Sequence, residues 1–210
     1  MNNRQKNERR FWDKYASYYD SFIRNVVGKT YKSILENIDL ELNANQAVLE
    51  IGTGTGIIPF AISSKVSSIV ATDISPDMIK IAAQKQADLN INNIDFQVQD
   101  SYNLAFPDKT FDVVIASNLL HLLYEPEKPI AEVKRVLKDN GVFIAPTFCV
   151  GENLRSRVIT TMAGIISGFK IINNWSIRDF KVMLTNNGLN IVKVVTIDGR
   201  FPLVYIVLKK

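Results

Sequence analysis

The sequence predicts an α/β fold built on a doubly wound, mostly parallel sheet. Short apolar, β-branched runs alternate along the chain with longer stretches whose apolar residues recur every three or four positions. This alternation is typical of strand–helix–strand units, in which a helix carries the chain back across the sheet. Near the end, residues 189–196 and 202–208 have the pattern of two strands joined by the turn signal Asp198-Gly199-Arg200. The sheet is therefore expected to end in an antiparallel pair.

The first four predicted strands lie between residues 48 and 116. Residues 48–51 and 68–72 are short β-branched runs, residues 94–98 alternate apolar and polar side chains, and residues 111–116 are nearly all apolar. The last pattern is typical of a strand that is covered on both faces. Between the second and third strands, residues 75–89 carry apolar side chains at helical spacing.

The second half of the chain continues the alternation. Residues 130–137 have helical spacing, and Asp139-Asn140-Gly141 is expected to end that helix. Residues 142–148 predict a further buried strand. Ser176 is a candidate N-cap for a helix that runs to Asn186 and that Asn187-Gly188 would end.

Two segments lie outside the alternation. Residues 1–40 predict an N-terminal helical cap, because aromatic and apolar side chains recur there on one helical face. Residues 149–175 form a long connection, which we expect to be a lid, since ligands in such sheets bind beyond the carboxyl ends of the strands. The alternative is an extra helix packed on the core. The aromatic face comprises Phe11, Trp12, Tyr15, Tyr19, Phe22 and Ile23, and the apolar lid positions are Val158, Ile159, Met162, Ile165, Ile166, Phe169, Ile171 and Ile172, with Arg155, Arg157 and Lys170 alongside.

Composition indicates one globular domain over residues 1–210. The hydrophobic fraction of 47% and the charged fraction of 22% are ordinary for a folded chain. One cysteine, Cys149, and one histidine, His121, exclude an intramolecular disulfide and a site of several cysteines or histidines, so no metal is expected. No apolar run of about 18 residues is present and the start is polar, so we expect a cytoplasmic protein without a transmembrane segment.

The positive net charge is concentrated at the start of the chain. The net charge is +4, and the first ten residues hold Arg4, Lys6, Arg9 and Arg10 against Glu8. The remainder is close to neutral. Since a nucleic-acid enzyme usually carries a basic face through its fold, no nucleic acid is expected as a partner.

A glycine-rich loop follows the first predicted strand. The sequence VLEIGTGTG places Glu50, Gly52, Thr53, Gly54 and Gly56 at the junction of that strand and the next helix. A phosphate-binding P-loop would need Lys-Ser or Lys-Thr after the last glycine. The dinucleotide fingerprint G-x-G-x-x-G would need its third glycine at position 57 or 59, where Ile57 and Pro59 stand. Neither is present. Glycines here allow a ligand to approach the backbone closely, although a tight strand-to-helix turn would also explain them.

Polar side chains end the next three strands. Asp73 can accept hydrogen bonds from both hydroxyls of a ribose, and the alternative role of helix N-cap suits Ser75 better. Asp100 and Ser101 follow the third strand, where a carboxylate can accept from an adenine amino group or simply form a turn. The fourth strand delivers Ser117 and Asn118 to the same edge of the sheet.

With these residues at consecutive strand ends, the chain resembles a class I S-adenosylmethionine-dependent methyltransferase. The resemblance is to the small-molecule, methyltransferase-11-like type, which includes quinone-biosynthesis and phospholipid N-methyltransferases, and it covers residues 11–210. It is also carried by RVLKDNGVFI at 135–144 and WSIRDFKVMLTNNGLNIV at 175–192. It implies a Rossmann-like, seven-stranded sheet with an antiparallel last strand, and S-adenosylmethionine as cofactor, with S-adenosylhomocysteine as product. The cofactor-binding residues that it implies are Tyr19, Glu50, Gly52, Thr53, Gly54, Gly56, Asp73, Ile74, Asp100, Ser101 and Ser117.

The resemblance leaves the methyl acceptor open. Methyl transfer from a sulfonium depends mainly on alignment, and Tyr15 and Tyr19 are candidates to face the cation. His121 is a candidate general base, or else a buried helix residue. The sequence Ser117-Asn118-Leu119-Leu120 stands where enzymes acting on adenine or glutamine amino groups usually carry Asn/Asp-Pro-Pro-Tyr/Phe, and no Pro-Cys pair for attack on cytosine occurs.

An apolar lid favours a small, hydrophobic acceptor methylated at O, N or C. The alternatives are an RNA or protein methyltransferase and a cofactor-binding partner subunit without its own activity. Contact of the lid and the basic N-terminus with an anionic membrane surface is a further possibility. An NAD enzyme is disfavoured by the broken fingerprint, and we expect Cys149 to be buried and unreactive.

Overall fold

A computed structural model describes residues 1–167 and 171–210 of the chain. The described part holds eight strands and seven α-helices. The strands are β1 (Ala47–Ile51), β2 (Ser68–Asp73), β3 (Ile94–Val98), β4 (Phe111–Ile115), β5 (Leu137–Ile144), β6 (Thr147–Phe148), β7 (Asn190–Ile197) and β8 (Leu203–Lys209). The helices are α1 (Asn3–Phe22), α2 (Gly28–Asp39), α3 (Ile57–Ile62), α4 (Pro76–Leu89), α5 (Glu127–Val136), α6 (Leu154–Ser167) and α7 (Ile177–Asn186).

The sheet is parallel except at its last strand. Strands β1 to β5 run parallel in the order β3-β2-β1-β4-β5, and β8 pairs antiparallel with β5. β6 continues the register of β5 along β8, since Ile144 lies opposite Val207 and Thr147 opposite Val204. β5 and β6 therefore act as one interrupted strand, and β7 pairs with the other side of β8. Counted in this way, the sheet has the predicted seven positions with an antiparallel last strand, and the fold class is confirmed.

Helices cover both faces of this sheet. Leu49 of β1 and Val114 of β4 belong to a buried cluster that includes Phe180 of α7 and residues of α5. Their neighbours Val48 and Val113 belong to a second buried cluster, with residues of α2 and α3. The two clusters arise because successive side chains of a strand point to opposite faces. A sheet covered in this way leaves its carboxyl-end edge as the place for a ligand.

The expected end of the helix at residues 130–137 is wrong in detail. Helix α5 ends at Val136 and β5 begins at once, so Asp139-Asn140-Gly141 lies inside a strand. The pairing of β5 with β4 is irregular there, and it resumes at Val142. Gly141 does not take a left-handed conformation. Instead, a Cβ on it would approach the Leu137 side chain to 2.7 Å, so the glycine is required by packing.

The predicted strand at 142–148 is interrupted in the structure. β5 ends at Ile144 and β6 begins at Thr147, with Pro146 between them. Proline lacks the backbone N–H that a central strand position needs. The carbonyl of Pro146 instead accepts a hydrogen bond from the backbone N–H of Asn118 (2.8 Å), which ties this break to the end of β4.

The N-terminal cap consists of α1, a π-helical segment at Ile23–Val27, and α2. The basic residues at the start are part of α1, which begins at an Asn2 capping box, and do not form a free tail. Of the predicted aromatic face, Ile23 is buried in the core and Tyr19 packs against it, whereas Phe22 is 52% exposed. Within residues 1–167 and 171–210, no helix is long and apolar enough to cross a membrane.

The insert at 149–175 contains α6 and is fixed at both ends. The N–H of Gly151 donates to the carbonyl of Trp175 (2.9 Å), and the N–H groups of Ile172 and Asn173 donate to the carbonyl of His121 (3.1 and 3.0 Å). Val158 is exposed on α6. Phe169 and Lys170 lie outside the described residues, as do the side chains of Arg155, Met162, Ile165 and Ile166.

Candidate functional site

The glycine loop after β1 adopts a conformation that requires glycine. Gly52, Gly54 and Gly56 have φ values of +69°, +56° and +83°, which side chains rarely adopt. A Cβ on Gly52 would lie 2.8 Å from Cδ1 of Leu119, and a Cβ on Gly54 would lie 3.2 Å from the ring of Tyr19. Conformation and space therefore both exclude a side chain at these positions, and the backbone of the loop remains open to a ligand.

Asp73 at the end of β2 holds the glycine loop in place. Its carboxylate accepts hydrogen bonds from the backbone N–H of Gly54 (2.8 Å) and of Ser75 (2.9 Å). Ser75 caps α4 by accepting from the N–H of Met78 (3.2 Å), so Asp73 is free of that role. Burial raises the pKa of Asp73 to about 6, against the backbone hydrogen bonds that lower it.

Glu50 is a second buried acid beside the loop. The hydroxyl of Thr53 donates to its carboxylate (2.5 Å), and burial raises its pKa to about 8. Neither Glu50 nor Asp73 forms a salt bridge within residues 1–167 and 171–210. Two buried acids without a cationic partner are suited to a ligand that brings hydroxyls or a positive charge.

The N-terminal helix reaches the acid at the end of β3. Arg4 forms an ion pair with Asp100, and the side-chain amide of Gln5 donates to the same carboxylate oxygen (2.7 Å). The other oxygen accepts from the N–H of Tyr102 (3.1 Å), and the guanidinium of Arg4 lies 3.7 Å from the centre of the Tyr102 ring. Residues at the very start of the chain thus contact the predicted adenine-binding acid.

Three further contacts fix α1 across this edge of the sheet. The hydroxyl of Ser75 donates to Asp13 (2.5 Å), and the hydroxyl of Thr55 donates to Asp20 (2.5 Å). Lys85 of α4 forms an ion pair with Asp20. The helix therefore lies over the carboxyl ends of β1 to β3, where the ligand is expected.

A cavity lies beneath α1. Its lining includes Tyr19, Gly52, Gly54, Asp73, Ile74, Asp100, Ser101 and Ser117, all predicted from the sequence. The predicted residues Glu50, Thr53 and Gly56 are buried and do not line the cavity. The lining also includes Asn118, which the sequence places at this edge, and Trp12 of the predicted aromatic face. Lining residues that the sequence did not indicate are Glu8, Met78, Gln99, Leu119, Leu122 and Leu123.

His121 is placed apart from the cavity lining. Its side chain is buried, Nδ1 has no hydrogen-bond partner among the described residues, and burial lowers its pKa to about 4. The imidazole is therefore neutral at neutral pH. Cys149 is also buried, as predicted, and burial raises the pKa of its thiol to about 12.

Residues 42–188 match the family described as Methyltransferase domain. The chain is 32% identical over 104 residues to the uncharacterized methyltransferase YcgJ of Bacillus subtilis, covering 50% of this chain and 41% of that one. It is 31% identical over 134 residues to a phosphatidylethanolamine N-methyltransferase of Cereibacter sphaeroides, covering 63% of each. These matches span less than two thirds of either relative. A ubiquinone/menaquinone biosynthesis C-methyltransferase, UbiE of Citrifermentans bemidjiense, is 29% identical over 186 residues, covering 79% of each chain.

Solved structures share the fold. A Haloferax volcanii methyltransferase in complex with the Trm112 methyltransferase activator superposes with a TM-score of 0.78 at 18% identity, covering 96% of each chain. A methyltransferase from Aquifex aeolicus superposes with a TM-score of 0.71 at 20% identity, covering 94% of this chain and 98% of that one. From the family match, together with this strand order, the chain belongs to the methyltransferase-domain family, among the class I S-adenosylmethionine-dependent methyltransferases.

Proposed function

We propose that the protein transfers a methyl group from S-adenosylmethionine to O, N or C of a small, hydrophobic acceptor. The observation that carries the proposal is the meeting of the glycine loop, Asp73 and Asp100 around one cavity at the carboxyl edge of the sheet. The rest of that cavity is bounded in part by Leu119, Leu122 and Leu123.

The residues present fit this cofactor. Asp73 keeps lone pairs for the two hydroxyls of a ribose after accepting from Gly54 and Ser75. Asp100 and Ser101 would hold the adenine end, and the open backbone of Gly52 and Gly54 would lie beside the remainder. The cofactor, when bound, supplies a methyl group on a positively charged sulfur.

The chain contributes orientation and shielding from water. Helix α1 closes the edge of the sheet, and its Tyr19 ring packs against Gly54. Aligned reactants at a dry site can account for about 7–11 kcal/mol of the barrier, so no covalent help from the protein is required. The role of His121 as a general base stays a prediction. The imidazole is neutral, but burial lowers its pKa to about 4, which makes it a weak base, and it does not line the cavity.

Charge at the site supports a small acceptor over a nucleic acid. Of the described residues that line the cavity, none is lysine or arginine, and three are acidic: Glu8, Asp73 and Asp100. A polyanion would therefore meet no cationic side chain on this lining, and the nearby Arg4 is already paired with Glu8 and Asp100.

Calorimetric titration with S-adenosylhomocysteine, and separately with NAD, tests the cofactor. We expect S-adenosylhomocysteine to bind the unmodified protein, NAD not to bind, and Asp73→Ala to weaken binding by about tenfold or more, which is about 1.4 kcal/mol. Asp77→Ala, an exposed acid in the first turn of α4, is the matched control and is expected to bind normally. Absence of binding after removal of copurified ligand would contradict the proposal.

The titration together with a methylation assay separates an enzyme from a partner subunit. A chain that binds S-adenosylhomocysteine yet methylates no acceptor, alone or with the acceptors of its relatives, would be a cofactor-binding subunit. The Haloferax volcanii structural neighbour, which is bound to an activator, makes this outcome worth measuring.

A further inference from the structure

The N-terminal helix α1 separates its charges between two sides. It contains three acidic residues, and each of them is turned toward the rest of the fold. Glu8 lines the cavity. Asp13 accepts a hydrogen bond from the hydroxyl of Ser75 (2.5 Å). Asp20 accepts one from the hydroxyl of Thr55 (2.5 Å). The negative charge of the helix therefore lies on its inner side.

The outer side of α1 carries cations that no acid neutralises. Lys6, Arg10 and Lys14 recur at every fourth position and are exposed. None of the three forms a salt bridge with a described residue, whereas Arg4 and Arg9 of the same helix both do. Because the acids of the helix face inward, these three cations project positive charge into the solvent.

Two aromatic side chains continue the line of cations toward the end of α1. Tyr18 is 71% exposed and Phe22 is 52% exposed, and they follow Lys14 at the same spacing of four. Residues four apart are neighbours on a helix surface, so the five side chains form one exposed band that winds slowly around the helix. We call this band the outer band of α1; it consists of Lys6, Arg10, Lys14, Tyr18 and Phe22.

The combination of side chains in the outer band suits the surface of an anionic bilayer. Lysine and arginine are attracted to acidic lipid headgroups, and the attraction falls off within a Debye length of the surface. Tyrosine and phenylalanine rings are stable at the boundary between headgroups and acyl chains, where they bury apolar surface. Charge and apolar contact thus lie side by side on one exposed surface of one helix.

A nucleic acid fits the outer band less well than a lipid surface does. Binding to a nucleic acid depends on neutralising many phosphates, and the outer band supplies three cations. The remainder of the chain is close to neutral, and no lysine or arginine is among the described residues that line the cavity. The observations therefore favour a bilayer, where the two rings add apolar contact to a modest positive charge.

We propose that the outer band of α1 is a docking surface for an anionic lipid bilayer. The cations lie among the headgroups, and the rings of Tyr18 and Phe22 lie at the boundary with the acyl chains. Docked in this way, α1 lies between the bilayer and the cavity that it covers. The proposal goes beyond methyl transfer and does not depend on it, because the outer band and the cavity are on opposite sides of the helix.

The test measures binding of the full chain to lipid vesicles by cosedimentation. Two compositions are compared: phosphatidylcholine alone, and an equimolar mixture of phosphatidylcholine and phosphatidylglycerol. We expect the protein to bind the mixed vesicles at least about tenfold more tightly, because several cations lie near an anionic surface. Added salt should weaken this binding, since it screens the attraction between the cations and the headgroups.

Variants then assign the binding to the outer band. Arg10→Gln and Lys14→Gln should each weaken binding to the mixed vesicles by about fivefold, the contribution of one cation near the surface. Phe22→Ser should weaken it by about threefold or more, because the ring no longer buries apolar surface. The matched controls are Lys209→Gln, at the end of β8, and Leu40→Ser, after α2. They remove an exposed cation and an exposed apolar side chain outside α1, and both should bind the vesicles normally.

Two further measurements separate a lost contact from a lost fold. Urea unfolding of each variant should match that of the unmodified protein, because exposed substitutions rarely change stability. Arg10→Lys, which keeps the charge, should bind the mixed vesicles as the unmodified protein does.

Several results would overturn the proposal. Absence of vesicle binding, or equal binding to the two compositions, would reject an anionic bilayer as the partner. Equal losses in the two control variants and in the variants of the outer band would reject this surface. Binding of a single-stranded RNA that Arg10→Gln and Lys14→Gln abolish, in a protein that does not bind vesicles, would assign the outer band to a nucleic acid instead.

Discussion

Glu50 and Asp73 are buried acids beside the same glycine loop, and burial favours their protonated forms. At Glu50 the pKa rises from 4.5 to about 8, and at Asp73 from 3.8 to about 6. At a pH between the unfolded and the folded pKa of each acid, the folded protein therefore binds more protons than the unfolded chain. The stability that these acids contribute is complete below pH 3.8 and is lost as the pH rises to about 8. His121 has the opposite effect, because its pKa falls from 6.5 to about 4 and its contribution is lost on acidification through that range.

We therefore predict that the ligand-free protein loses stability between pH 6.5 and 8. Of Glu50, Asp73 and His121, only Glu50 still titrates over most of that interval. The free energy of unfolding should therefore fall by about 2 kcal/mol. Urea unfolding at a series of pH values measures it. The variant Glu50→Gln, which cannot ionise, should show a flat profile there, and an unchanged slope in that variant would contradict the assignment.

A second prediction concerns Gly54. Replacement by alanine places a Cβ 3.2 Å from the Tyr19 ring on a residue with φ of +56°, so Gly54→Ala should destabilise the protein by about 1–2 kcal/mol. Its affinity for S-adenosylhomocysteine should fall by about tenfold or more, because the loop is displaced. Gly28→Ala is the control: Gly28 lies in a helix with φ of −56° and meets only Ile23 O at 3.7 Å, so it should be neutral or stabilising. Equal effects of the two substitutions would argue against a special role for the loop.

At the scale of elements, α1 acts as a cover whose first turns are fastened to Asp100. Arg4 and Gln5 both bind that carboxylate, and Glu8 pairs with Arg4. The side chains of this ion-pair network are largely buried, so it should hold the helix more firmly than an exposed pair would. Of the basic residues at the start of the chain, Arg4 therefore helps to hold α1 over the site.

We predict that Arg4→Ala loosens the start of α1. Hydrogen exchange of the amides in its first three turns should become about tenfold faster, corresponding to about 1.4 kcal/mol, and S-adenosylhomocysteine should dissociate faster. Arg10→Ala, which removes an exposed arginine from the same helix, is the control. If both variants exchange alike, the contact with Asp100 does not hold the helix.

At the scale of the whole molecule, β8 joins the two cores. Its successive residues Tyr205 and Ile206 belong to the two clusters on opposite faces of the sheet, and β5, β6 and β7 all pair with this strand. Ile206 is fully buried. The last segment of the chain thus closes a sheet whose earlier strands carry the site.

We predict that Ile206→Ala lowers the free energy of unfolding by about 2–5 kcal/mol, because it leaves a cavity in a packed core. Val192→Ala on β7, where the side chain is 59% exposed, should change it by less than about 0.5 kcal/mol. Chemical denaturation of both variants provides the comparison. A small effect at Ile206 would mean that β8 is not part of a tightly packed core.

Local signals in the sequence were sufficient to predict most of the helices and strands, and the part of the site that is formed by the strand ends. Alternation of strand and helix patterns, the Ser176 cap, the hairpin and the acids at strand ends all depend on residues close together in the chain. The prediction that Asp139-Asn140-Gly141 ends a helix was wrong. A glycine needed for packing against Leu137 looks the same in sequence as a glycine that ends a helix. Likewise, the exposure of Phe22 depends on where α1 gives way to a π-helical turn.

The sequence by itself determined the strands, the glycine loop and the placement of Asp73 and Asp100 at one edge of the sheet. The placement follows because parallel strands bring their carboxyl ends to the same edge. Only the tertiary structure decided what else meets them. Arg4 contacts a residue 96 positions away, Tyr31 lies near Asn118, and His121 is separated from the cavity lining. These contacts depend on how helices are oriented on the sheet, and that orientation is set by packing over the whole core, which no local pattern encodes.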